Sequence, residues 1–139
     1  MNPHASSKKV LHRMESVSQP NRTRMPSTRP GYTEHGEHVS EYGTIDYYVT
    51  VNFYDDPDGG EGERFRPGEV FVVIAKSGSD LRRAVDGWAV AVSLALQSGV
   101  PWEAIAKHYI NGAPPKHIYE SVCESIMNIV EHRKQIVGE

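Results

Sequence analysis

Between Thr44 and Phe53, the residues Ile45, Tyr47, Val49, Val51 and Phe53 interleave with Asp46, Tyr48, Thr50 and Asn52. Successive side chains of a strand point to opposite faces, so this spacing predicts a strand with one face buried and the other wet. Such a strand cannot stand alone, because its apolar face needs a covering layer. The chain downstream supplies one. Glu69 to Lys76 reads as a second strand, with Val70, Phe71, Val72, Val73 and Ile74 nearly uninterrupted. The turn-rich stretch DDPDGGEGERFRPG, residues 55 to 68, separates the two, and an antiparallel long-looped hairpin is expected.

Helical spacing follows. Leu81, Val85, Trp88, Val92 and Ala95 recur every three or four residues, with Arg82, Arg83 and Asp86 off that line. Ser79 is placed to cap this helix, which should run to about Ser98 and stop at Gly99. Pro101 opens a short helix through Ala104, Ile105 and Tyr109, which the run Asn111-Gly112-Ala113-Pro114-Pro115 ends. A last helix from about His117 to Gln135 aligns Ile118, Val122, Ser125 or Ile126, Ile129 and Arg133 on one side. The expected fold is α+β: an antiparallel hairpin or small sheet packed against two to three C-terminal helices.

Charge divides the chain. Residues 1–30 carry six basic residues (Lys8, Lys9, Arg13, Arg22, Arg24, Arg29) against the single acid Glu15, while the rest carries nine basic and seventeen acidic residues. Residues 1–36 also lack periodicity and are rich in Ser, Pro, Arg, Thr and Gly. They read as a basic, flexible arm, and residues 37–139 as one α+β domain. The acidic body argues against broad nucleic-acid binding by the folded part. A lone cysteine, Cys123, excludes an intrachain disulfide and a cysteine-rich zinc site. With no long apolar run and no secretory signal pattern, a cytoplasmic protein that makes no membrane contact is expected.

Three stretches, in order, resemble a known family: Tyr48-Val49-Thr50-Val51-Asn52; Gly68-Glu69-Val70-Phe71-Val72 with Ala75-Lys76-Ser77-Gly78-Ser79; and Ser93-Leu94-Ala95-Leu96-Gln97-Ser98-Gly99-Val100-Pro101. They are similar to the C-terminal accessory domain of vitamin B12-dependent ribonucleotide reductases, the TSCPD domain, over roughly residues 44–130. Where that family's naming motif has Thr-Ser-Cys-Pro-Asp, the nearest stretch here is Ser121-Val122-Cys123-Glu124-Ser125, which keeps only the cysteine in register. A chain of 139 residues with one cysteine cannot hold the reductase barrel and its redox cysteines. The resemblance therefore implies an accessory or docking role beside a reductase. In its order of arm, hairpin and tandem helices, the chain also resembles the phage sponge proteins that counter Thoeris defence. That architectural resemblance implies sequestration of a cyclic ADP-ribose-type signal without catalysis.

Candidate ligand residues fall in two places. Lys76, Ser77, Gly78 and Ser79 join a strand end to a helix start, followed by Arg82 and Arg83 in the first turn. Unpaired N–H groups there suit a phosphate, although a plain helix cap with solvated arginines fits the same residues. Arginine in a first turn opposes the helix dipole, which hints at an anionic partner. Tyr109 and Asn111 end the short helix; they are able to stack on a base and pair with its edge, or to serve as a half-buried ring and a helix stop. His35 and His38, with Glu34, Glu37 and Glu41, include metal-ligand types but sit in a stretch without an apolar framework, so no metal site is expected. Cys123 reads as a core residue, and no catalytic set is recognised. The favoured reading at this level is a non-catalytic, homo-oligomeric binder of a nucleotide or other phosphate-bearing molecule, without a cofactor. The hairpin's open edge would be the meeting place of subunits. The alternative is an accessory module of a B12-dependent reductase.

Overall fold

The computed structural model describes residues 22–55, 63–75 and 78–138. Three strands, β1 (Gly31–Ser40), β2 (Gly43–Phe53) and β3 (Pro67–Ile74), form an antiparallel meander with β2 in the middle. Three helices follow: α1 (Ser79–Gln97), α2 (Trp102–Tyr109) and α3 (Ile118–Val137). The α+β expectation holds. No helix among the described residues is long and apolar enough to cross a membrane.

The alternation in β2 acts as expected. Tyr47, Val49, Val51 and Phe53 are buried, while Tyr48 is half exposed on the other face. β3 pairs with β2 antiparallel, Val49 opposite Val72 and Val51 opposite Val70, with a register shift at Asn52/Phe53. Helix α1 covers β3 through Val85, Ala89, Val92 and Leu96. That line is rotated from the expected one: Trp88 and Ala95 are only partly buried, because small Ala89 and long Leu96 sit nearer the sheet. The helix ends in a Schellman arrangement. Gly99 takes φ +98, its N–H donates to Leu96 O, and the N–H of Val100 donates to Ala95 O.

β1 was not visible as a strand. Its sequence GYTEHGEHVS offers no apolar alternation, and residues 31–36 read as part of the arm. It forms because a central strand needs hydrogen-bond partners on both sides, and the turn at Glu41-Tyr42 brings it back directly onto β2. Gly43 supplies the turn's positive φ of 122, and Ser40 Oγ accepts the Tyr42 N–H at 3.2 Å and donates to Gly43 O at 3.1 Å. Gly36 allows close approach to the strand opposite, since a Cβ there would lie 2.4 Å from the Tyr47 ring. β1 thus supplies from within the chain a strand that the hairpin reading sought from a second subunit.

Residues 22–30 are also tied down. Thr23 N–H donates to Gln97 O at 2.8 Å, and the Tyr54 hydroxyl donates to Thr23 O. Arg29 makes a two-pronged contact with Glu69, Nε to Oε1 at 2.9 Å and Nη2 to Oε2 at 3.1 Å. At least this part of the basic arm's charge is spent inside the fold.

Candidate functional site

At the start of α1, Gly78 is the N-cap (φ −63, ψ 157), and its carbonyl accepts the Arg82 N–H at 3.2 Å. Ser79 is therefore the first helical residue and not the cap, one position off the expected boundary. Lys76 and Ser77 lie outside the described residues. Arg82 and Arg83 are exposed, and Arg82 Nη2 reaches the last β3 carbonyl, Ile74 O, at 3.4 Å. Asp80 balances part of their charge in the same turn.

Tyr109 and Asn111 are occupied within the fold. Tyr109 belongs to a triad of rings with Trp88 (5.6 Å, edge-on) and Tyr119 (5.9 Å, edge-on), and Trp88 stacks on Tyr119 at 5.0 Å. Asn111 donates its main-chain N–H to buried Glu120 at 2.9 Å, and its side-chain Oδ1 accepts the Ala113 N–H at 2.8 Å. Tyr119 Oη donates to Ala84 O at 3.3 Å, so the aromatic triad joins the first turn of α3 to the N-terminal half of α1. The two candidate groups share one end of the molecule, yet among the described residues no contact joins Arg82 or Arg83 to Tyr109 or Asn111.

The most developed polar site was not foreseen. It lies where α3 crosses β1 and β2. His38, 5% exposed, shares a 2.8 Å hydrogen bond between its Nδ1 and Ser121 Oγ. Tyr47 Oη donates to Ser121 O at 3.0 Å and meets Ser125 Oγ at 2.9 Å. Burial, and then the nearby His117 and Lys116, lower the His38 pKa from 6.5. Burial raises that of Tyr47 despite its bond to Ser125. Above these groups opens a polar cleft of about 280 Å³ edged by Glu34, Gly36, Lys116, Glu124 and Asn128, with Lys116 Nζ 2.9 Å from Glu124 Oε2. His38 and Ser121 are both buried, so this pair clamps β1 to α3 and does not present a nucleophile to a substrate.

Arg133, Cys123 and Trp102 are further buried residues that serve the fold. Arg133, on the inner side of α3 as its spacing predicts, donates to Arg64 O at 2.8 Å and to Tyr32 Oη at 3.0 Å. Its Nη2 lies 3.3 Å from Asp55 Oδ1 without hydrogen-bond alignment. Cys123 is fully buried, and burial, with Glu120 and Glu124 nearby, pushes its thiol up to about 12. That makes it a core residue, as its sequence position implies. Trp102 is also core, at 3% exposure, beneath an apolar groove of about 380 Å³ that includes Ala106, Ile110, Met127 and Val130.

The TSCPD domain model matches residues 17–133. The chain is similar to the vitamin B12-dependent ribonucleotide reductase of Rhodopirellula baltica, 37% identical over 93 residues, which cover 67% of this chain and 8% of the reductase. It is also similar to the enzymes of the same name from Streptantibioticus cattleyicolor, 38% identical over 92 residues (66% of this chain, 13% of that one), and Bradyrhizobium diazoefficiens, 38% over 80 residues (58% and 5%). This chain therefore spans only a small fraction of the length of the curated relatives it matches. No solved structure matches it. The residues matched by the domain model take in the sheet and most of the helical layer, and the chain belongs to the TSCPD domain family.

Proposed function

We propose that this domain serves a vitamin B12-dependent ribonucleotide reductase as an accessory, docking module and takes no direct part in the reduction. The observation that carries this reading is the 37% identity to such a reductase over 93 residues. The chemistry of the chain agrees. Its one cysteine is buried with the thiol held up to about 12, whereas thiol redox work requires an accessible thiolate. The sequestering reading has less behind it: Tyr109 and Asn111 are engaged inside the fold, and none of these relatives is a signal-sequestering protein. On the accessory reading the domain works in the cytoplasm beside its reductase. Exposed Arg83, with Arg82, remains the place for a phosphate-bearing ligand.

The test uses the Rhodopirellula baltica reductase with its matching 93-residue segment deleted. Mixed with this chain at tens of micromolar, the two should co-elute in size-exclusion chromatography, and the intact reductase should compete less well for the chain. Absence of a complex would overturn the docking role. A parallel thermal-shift series with ribonucleoside di- and triphosphates and cyclic ADP-ribose isomers addresses the ligand. A shift with reductase substrates that disappears in Arg82→Ala/Arg83→Ala supports the phosphate site. A shift with a cyclic ADP-ribose isomer and no reductase complex would restore sequestration.

A further inference from the structure

Among the described residues, His35, Glu37 and Asp46 stand together, with one ligand atom of each lying within 4.8 Å of the others. The sheet assembles them. His35 and Glu37 are two apart on β1, so both project from the face that no helix covers, and Asp46 lies directly opposite Glu37 on β2. His38, the other histidine of the strand, is turned to the buried face and takes no part. His35 Nε2 already sits 3.3 Å from Asp46 Oδ1, and its ring lies 5.1 Å from that of Tyr48, its cross-strand neighbour.

This segment fails as a metal site when read as a loose arm, and that objection falls once it is a strand. The ladder from Gly31 to Ser40 pins every residue of β1 against β2, so the three side chains start from fixed backbone positions. The arrangement also carries an electrostatic cost that a cation would relieve. Glu37 and Asp46 face each other across strands, where like charges repel, and no Lys or Arg among the described residues forms an ion pair with either. One imidazole nitrogen and two carboxylate oxygens form a donor set for zinc-type divalent ions, with further positions left for water; calcium and magnesium favour oxygen alone.

We propose that the outer face of the β1–β2 hairpin binds one zinc-type divalent cation through His35, Glu37 and Asp46. The site rests on neither the docking reading nor the phosphate reading, and it lies on the face opposite the helices. The test is isothermal titration of the full, tag-free chain with zinc chloride, backed by amide chemical-shift mapping. One equivalent should bind, and His35→Ala and Asp46→Asn should each weaken it by at least about tenfold, since removing even a group that only supports a metal's ligands costs that much. His132→Ala, on α3, should leave it unchanged. Shift changes should centre on residues 35–37 and 46–48. If either variant folds poorly, cobalt(II) added to the unaltered chain decides, because paramagnetic broadening must be strongest at Glu37 and Asp46. No binding of zinc, binding that survives in the His35→Ala/Asp46→Asn double variant, or broadening centred elsewhere would overturn the site.

Discussion

Two helices cover the same sheet by different means. Helix α1 meets β3 through aliphatic side chains, with Val85, Ala89, Val92 and Leu96 against Val70, Val72 and Ile74. Its polar insertions are Ser93, whose Oγ accepts the Val70 N–H at 2.9 Å and shields that part of the β3 edge, and buried Gln97 at the helix end, whose Nε2 donates to Gly68 O at 3.0 Å. Helix α3 crosses β1 and β2 with Ser121, Ser125 and Arg133 inward, bonded to His38, Tyr47 and Tyr32. The aliphatic side contributes non-directional burial, tolerant of small rotations such as the one that moved the seam onto Ala89 and Leu96. The polar side is directional: each bond fixes one helix position over one strand position, and an unmade bond there costs more than a made one contributes.

The largest expected effect separates the two sides by volume. Leu96→Ala removes three carbons from a site 1% exposed and should destabilise the domain by about 2–5 kcal/mol in urea unfolding. Tyr47→Phe keeps the ring and removes one oxygen, taking the partner from buried Ser125 Oγ and leaving Ser121 O with its helical bond alone, and should cost about 1–3 kcal/mol. If Tyr47→Phe proves neutral, shape alone holds α3 in place and the contrast between the sides fails.

The same contrast separates what was legible in the sequence from what was not. Periodicity located β2 and the two long helices, an almost unbroken apolar run located β3, and Pro101 with the breaker run from Asn111 to Pro115 located the short helix. Arg133 was placed inward because it falls on the line of Ile118, Val122 and Ile129. β1 shows no such line: its inward residues are Tyr32, Glu34, Gly36 and His38, and the polar groups of Tyr32 and His38 meet Arg133 and Ser121, far away in the chain. The His38–Ser121 bond spans 83 positions and Tyr47–Ser125 spans 78, so no local pattern announces either. One available signal was Ser121 and Ser125, four apart and on the buried side of α3. Buried hydroxyls require partners, and a strand offering His and Tyr was close at hand. Tyr109 and Asn111 show the converse: both side chains suit a nucleotide, while inside the fold Tyr109 packs against neighbouring rings and Asn111 closes a turn.

A smaller effect comes from pH. His38 is harder to protonate in the fold than in the unfolded chain, so the unfolded state takes up its proton first as pH falls below 6.5. The polar seam should therefore contribute its full stability above that pH and lose part of it as pH drops through the lowered folded value. His38→Gln removes the titrating group at a fixed cost. The difference in unfolding free energy between the unaltered chain and this variant should shrink from pH 7 to pH 5. A constant difference would show that His38 is not held neutral by its burial against α3.

The smallest expected effect at neutral pH concerns Cys123, on α3 but within the aliphatic core. Its folded thiol ionises near 12 against 9 in the open chain, so the folded form retains the proton longer and the contribution is intact below pH 9. As pH rises above 9, the unfolded state loses the proton first and this stability drains away. The shift of Tyr47 acts in the same direction, from 10 upward. Cys123→Ala should thus flatten only part of the alkaline slope, and Tyr47→Phe should flatten a second part. At pH 8 the native thiol should resist a disulfide reagent such as Ellman's and react promptly in urea. Rapid reaction of the native chain would mean that α3 lifts readily from the sheet, which would make the polar seam the looser of the two sides despite its directional bonds.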